Sequence, residues 1–172
     1  MPKGGACVKR RWIAWTCALL LLSLLGGCAP QRGDYLAPFS GEFAAQIVGE
    51  WNGLDFEAAL TATAPDESGT RMMTLTFYAP STLSGTVLSK DAQGVLTLAR
   101  EGVCLPLCGT AAAGYGALFS LFPTEGEVQN VTQENGNTRL NGAGFSLLFA
   151  PDGTPLAAEN DTARVTVTAF EN

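Results

Sequence analysis

The chain of 172 residues contains no histidine. That absence removes Ser-His-Asp and Cys-His nucleophilic sites, histidine general bases and histidine zinc ligands together. Positive charge is also scarce. Ten lysines and arginines face sixteen acidic residues, and four of those ten (Lys3, Lys9, Arg10, Arg11) fall in the first eleven positions. From residue 28 onward only Arg32, Arg71, Lys90, Arg100, Arg139 and Arg164 oppose all sixteen acids, a net charge of −10. A surface this acidic repels phosphate backbones, so nucleic acid is excluded as an expected partner. No apolar run is long enough to cross a bilayer. Trp12–Leu25 has 14 residues, about 21 Å as a helix against a hydrocarbon core of ~30 Å. Neither a repeat longer than a hairpin nor a low-complexity tract is present, and no motif calls for a cofactor or a metal.

What the N-terminus does contain is a basic start, that short apolar run, and then Leu25-Gly26-Gly27-Cys28. These are the parts of a secretory signal peptide, with small residues ahead of a cleavage site. Arg10-Arg11 also admits a twin-arginine route. A cysteine at the first position after the cut makes the segment resemble the lipobox of bacterial lipoproteins. The resemblance implies removal of residues 1–27 and diacylglyceryl attachment at Cys28. Two acyl chains, at about 0.8 kcal/mol per buried CH2, hold a protein stably where one does not. The membrane, reached through this anchor, is thus one expected partner, and the extracytoplasmic side of a cell envelope is the expected location. Residues 28–40, with Pro30 and Pro38, read as a short lipidated tether, and residues 41–172 as a single domain.

After Cys7, Cys17 and Cys28 are accounted for, Cys104 and Cys108 remain, in Val103-Cys104-Leu105-Pro106-Leu107-Cys108. Outside the cytoplasm two nearby thiols pair as a structural disulfide or persist as free, half-buried side chains, and the spacing leaves both open. On one regular strand their Cα atoms would lie too far apart, so a bridge requires a bend at Pro106. Redox work is disfavoured, because the C-x-x-C spacing and a basic neighbour are both missing.

The remainder reads as strands. Leu54, Phe56, Ala58, Leu60 and Ala62 alternate with Asp55, Glu57, Thr61 and Thr63, a period of two that marks a sheet with one wet face. Phe43, Ala45, Ile47 and Trp51 precede them across the hairpin signal Asn52-Gly53. Met73, Leu75 and Phe77 form a third strand, which ends at Ala79-Pro80. A hairpin is expected from Leu83–Ser89 and Gly94–Arg100, and another from Val128–Gln133 and Thr138–Asn141 around Asn135-Gly136. Phe145–Phe149 follows, and Val165, Val167 and Ala169 are expected on the apolar side of the last strand, with Thr166, Thr168 and Phe170 opposite. Ala111–Phe122 lacks alternation and reads as a short helix on the concave face, stopped by Pro123. The fold class expected is mainly β: a curved antiparallel sheet or unclosed barrel carrying one helical segment.

The phrase Tyr78-Ala79-Pro80-Ser81-Thr82-Leu83-Ser84-Gly85, followed by Leu96-Thr97-Leu98-Ala99-Arg100-Glu101-Gly102, is similar to small lipoproteins with a LolA/LolB-like fold. The likeness spans roughly residues 42–170. It implies an unclosed barrel around apolar space, and in the best-known members that space takes up acyl chains of lipoproteins or glycolipids. This chain departs in having one weak helix in place of a full helical lid, and no functional residue of those proteins has a counterpart here.

Candidate residues follow. Met73, Leu75, Phe77, Leu118, Phe119, Phe122, Phe145, Leu147 and Phe149 either line an apolar pocket for a lipid or lipoprotein ligand or are plain core. Trp51 either recognises a partner or caps the core. Asp55 with Glu57 and Glu125 with Glu127 are carboxylate pairs in the positions of solvated surface, so no catalysis is expected. Asn130 and Asn160 begin glycosylation patterns that are incidental behind a bacterial-type leader.

Overall fold

A computed structural model describes residues 35–123, 126 and 128–172. The leader, Cys28 and the pair Glu125/Glu127 lie outside the described residues.

Eleven strands form one antiparallel sheet: Phe43–Trp51 (β1), Leu54–Ala62 (β2), Met73–Ala79 (β3), Val87–Lys90 (β4), Leu96–Arg100 (β5), Val103–Pro106 (β6), Val128–Glu134 (β7), Asn137–Gly142 (β8), Phe145–Phe149 (β9), Pro155–Glu159 (β10) and Ala163–Glu171 (β11). Their order is β6-β5-β4-β3-β2-β1-β11-β10-β9-β8-β7. Two meanders are therefore zipped together along the first and last strands, while β6 and β7 remain as the two edges. The barrel is unclosed, as expected. One helix, Gly109–Phe119 (α1), lies between β6 and β7 in the chain and carries it from one edge towards the other.

Turn chemistry sets the register. Asn52-Gly53 and Asn135-Gly136 each place two successive residues at positive φ (50° and 79°; 52° and 84°). That is the type I′ geometry whose twist matches paired strands, and it joins Trp51 to Leu54 and Glu134 to Asn137. Glu101-Gly102 does the same (50° and 81°) and creates β6, a strand the sequence pattern did not reveal. The expected strand Leu83–Ser89 is shortened to Val87–Lys90. Residues 80–86 instead fold into a turn in which the Leu83 and Ser84 amides both donate to the Pro80 carbonyl, at 2.9 Å each.

The last strand corrects an expectation. Gln46 pairs with Ala169 while Ile47 pairs with Val167, so Thr168 is an extra residue bulged out of β11, and its Oγ1 donates to the Gln46 carbonyl at 3.2 Å. A bulge reverses the alternation beyond it. Ala169 consequently faces water, and Phe170 turns inward against Phe39 and Phe43, with ring centroids at 5.8 Å to each.

The N-terminal boundary moves as well. Residues 35–40, expected in the tether, belong to the domain. Ala37–Phe39 forms one 3-10 turn, and Phe39 is completely buried. Its ring sits 5.4 to 6.0 Å from those of Phe43, Phe122, Phe149 and Phe170. Burying a phenylalanine is worth roughly 1.5–3 kcal/mol, enough to order a short segment that would otherwise be tether. Arg71 fastens it: Nη1 donates to the carbonyls of Phe39 (2.8 Å) and Gly41 (3.2 Å), and Nη2 to that of Ser40 (3.4 Å).

Candidate functional site

The nine residues expected to line a pocket all fall in one apolar cluster: six on β3 and β9, two on α1, and Phe122 just after it. Their exposures run from 0% (Phe77, Leu147) to 9% (Phe145). A void wide enough to admit water would register as exposed surface on the side chains around it. Leu75, Phe77, Leu121, Leu140 and Leu147, each 0–1% exposed, border no such void. These side chains are packed core.

Helix α1 holds its place with little help from its own sequence. No side chain caps its N-terminus, which begins after Cys108. At its other end Asn160, from the β10–β11 turn, donates Nδ2 to the Ala117 carbonyl (2.7 Å) and to Ser120 Oγ (3.2 Å). Its Oδ1 accepts from the Thr162 and Ala163 amides. The Asn160 amide is thus engaged in pinning the helix to the sheet, a role with no sequence signal beyond a polar residue in a tight turn. Leu121 and Phe122 follow the helix end and are buried at 0% and 1%.

Trp51 is half-buried, with its ring 4.8 Å from that of Tyr115 on α1. It caps the core; the structure does not present it as an exposed recognition residue. Its Nε1 is buried and, among the described residues, has no hydrogen-bond partner.

Open clefts are formed by described residues. One, about 490 Å³, runs beside the helix between the Gly69–Arg71 and Lys90–Gly94 turns, with Met73, Phe119 and Phe122 of the expected nine in its wall. A second, about 440 Å³, lies at the end of the sheet by Glu42, Thr61, Thr74 and Asn172. A third, about 350 Å³, surrounds the Asn52-Gly53 turn. Among the described residues no group of three or more histidine, cysteine or carboxylate side chains is placed to hold a metal ion.

Asp55 and Glu57 stand exposed on the outer face of β2. The carboxyl held most firmly ionised is Asp66, whose pKa is lowered to about 2, first by the Ser68 hydroxyl and then by the Thr70 hydroxyl and amide. This carboxylate organises the β2–β3 loop at 2.6 to 3.0 Å and needs no catalytic explanation. The Glu159 carboxyl is likewise lowered by the Arg164 guanidinium at 2.7 Å. Burial lowers the Arg71 pKa. Cys104 lies on β6 and Cys108 caps α1; both are free and exposed, where the sequence reading allowed a bridge or half-buried thiols.

Solved structures are similar to this chain at low identity. A conserved, uncharacterized protein from Thermus thermophilus matches with a TM-score of 0.50 and 13% identity, over 81% of this chain and 83% of that one. A putative outer membrane lipoprotein-sorting protein domain from Vibrio parahaemolyticus gives 0.47 and 9%, covering 76% and 85%. A LolA superfamily protein from Nitrosomonas europaea gives 0.39 and 7%, covering 83% and 94%. No family model and no curated protein matches the chain. The Thermus protein shares the fold; at this identity the match carries nothing about activity.

Proposed function

We propose that the chain is a lipoprotein of a bacterial envelope, anchored through acylated Cys28, and that its LolA/LolB-like domain is a non-catalytic module working from its outer surfaces. The observation that carries this reading is the filled interior. The side chains expected to face an acyl chain lie in one buried apolar cluster, each no more than 9% exposed. The lipobox-like segment supplies the address, and the acidic surface agrees with a domain that meets the bilayer only at its acylated end. A second reading, uptake of an apolar ligand, is favoured by the cleft beside α1, where Met73, Phe119 and Phe122 reach a surface opening. Mass spectrometry of the natural protein extracted from membranes separates the two. The expected species begins at residue 28 with covalent acyl chains and carries no non-covalent lipid. An unmodified residue 28 would remove the anchor, and a stoichiometric co-purifying lipid would establish the second reading.

A further inference from the structure

Five basic side chains fall among the described residues, and three of them have carboxylate partners: Arg100 with Glu101 at 3.9 Å, Arg139 with Glu134 at 2.8 Å and Arg164 with Glu159 at 2.7 Å. Arg71 and Lys90 have none among the described residues, and both line the cleft beside α1. In a chain with sixteen acidic residues, two such cations at one opening reverse the charge locally.

Lys90 stands where register calls for an apolar residue. It pairs across the sheet with Met73 on one side and Leu96 on the other, and both of those are buried. Side chains opposite one another in a ladder share a face, so Lys90 rises from the apolar face at the end of β4. A half-buried lysine there lays its stem along apolar neighbours and sends its ammonium to the nearest water. That water is in the cleft.

Arg71, two residues ahead of Met73, is also half-buried, and burial lowers its pKa. Its guanidinium carries five N–H donors in a planar fork. Nη1 gives two of them to the Phe39 and Gly41 carbonyls, and Nη2 gives one to that of Ser40. The Nε–H and the second Nη2–H remain, the parallel pair that grips an oxyanion side-on.

We infer that this cleft binds a phosphate monoester whose substituent is apolar. A carboxylate spends both oxygens on the Arg71 fork. A phosphate monoester has a third oxygen for the Lys90 ammonium and, above about pH 6, a second negative charge. Met73, Phe119 and Phe122 in the wall offer apolar contact to the substituent. Asp91 also lines the cleft, with Oδ1 engaged in its own turn by the Gln93 and Val95 amides at 3.0 and 2.8 Å. The cleft opens outside the packed core, so occupancy requires neither acylation at Cys28 nor space within the sheet.

Calorimetric titration of the purified full protein with hexyl phosphate, hexyl sulfate and inorganic phosphate tests this. Hexyl sulfate has the same chain and three outer oxygens but a single charge. Saturable one-to-one binding of hexyl phosphate is expected at about pH 7.5, with hexyl sulfate and inorganic phosphate each about tenfold weaker. Hexyl phosphate should bind about tenfold more weakly to Lys90→Gln, and to Arg71→Lys, which keeps the charge but loses the fork. Arg164→Gln, outside the cleft, should bind as wild type does. Between about pH 7 and pH 5 the affinity should fall towards that of hexyl sulfate as the ester gains its second proton. The chain has no histidine to titrate in that window, and the described titratable groups lining the cleft are Arg71, Lys90 and Asp91. The unfolding midpoint of each variant shows that it is folded. No saturable binding, equal affinity for the three anions, or undiminished affinity in folded Lys90→Gln would overturn the inference.

Discussion

At the start of β1, five phenylalanines (Phe39, Phe43, Phe122, Phe149 and Phe170) meet edge to face, tilted or, for Phe43 and Phe170, stacked, and an arginine ties down the backbone that brings the first of them. At the end of the same strand a single tryptophan leans on one tyrosine of α1, its indole N–H without a partner among the described residues. Both ends close one core, by different means. The first is closed by a segment that precedes the sheet in the chain. The second is closed by the connection between the meanders, held through Asn160. Difference in closure implies a difference in tolerance: substitutions should be costly at the phenylalanine end and mild at the tryptophan end.

The sharpest way to break that contrast is Phe39→Ala. Removing a fully buried phenylalanine costs about 3–5 kcal/mol, and denaturant unfolding should show a lowered midpoint. A loss under about 1 kcal/mol would mean that residues 35–40 are tether after all. Arg71→Ala comes next. It frees three carbonyls of the same segment, and a hydrogen bond from a charged group contributes about 1.5–3 kcal/mol where solvent is excluded. Arg71 is only half-buried, so about 1–1.5 kcal/mol is expected, with part recovered in Arg71→Lys. At the other end Trp51→Phe deletes an unsatisfied buried donor along with some ring volume. Opposing terms leave a change of under about 1 kcal/mol in either direction. Smallest is the effect of Asp66. Its folded pKa of about 2 lies below an unfolded value near ~3.9, so its contribution is present above about pH 4 and fades as pH falls towards 2. Amide chemical shifts of Ser68 and Thr70 should titrate in that window in the native protein and stay flat in Asp66→Asn.

Legibility in the sequence followed the range of the interaction. β1, β2, β3 and β9 were readable because alternation and Asn-Gly turns are local signals. β6 was missed because four residues with a proline carry no period, and β10 because Pro155-Leu156-Ala157-Ala158 has weak strand character. The bulge at Thr168 leaves no trace in composition, yet it decides whether Ala169 or Phe170 enters the core. Phe39 was hidden for a similar reason: the sites it fills, beside Phe122, Phe149 and Phe170, are remote in sequence. The nine candidate residues lie in one apolar cluster. Whether that surface is a lining or a core depends on what residues 35–40 and α1 cover, which is a property of tertiary packing alone.

The central claim is that the half-barrel is already full of its own side chains. Titration of the purified wild-type protein with a fluorescent fatty acid tests it directly. The account predicts no saturable binding. A saturable one-to-one uptake, competed by unlabelled fatty acid, would contradict it.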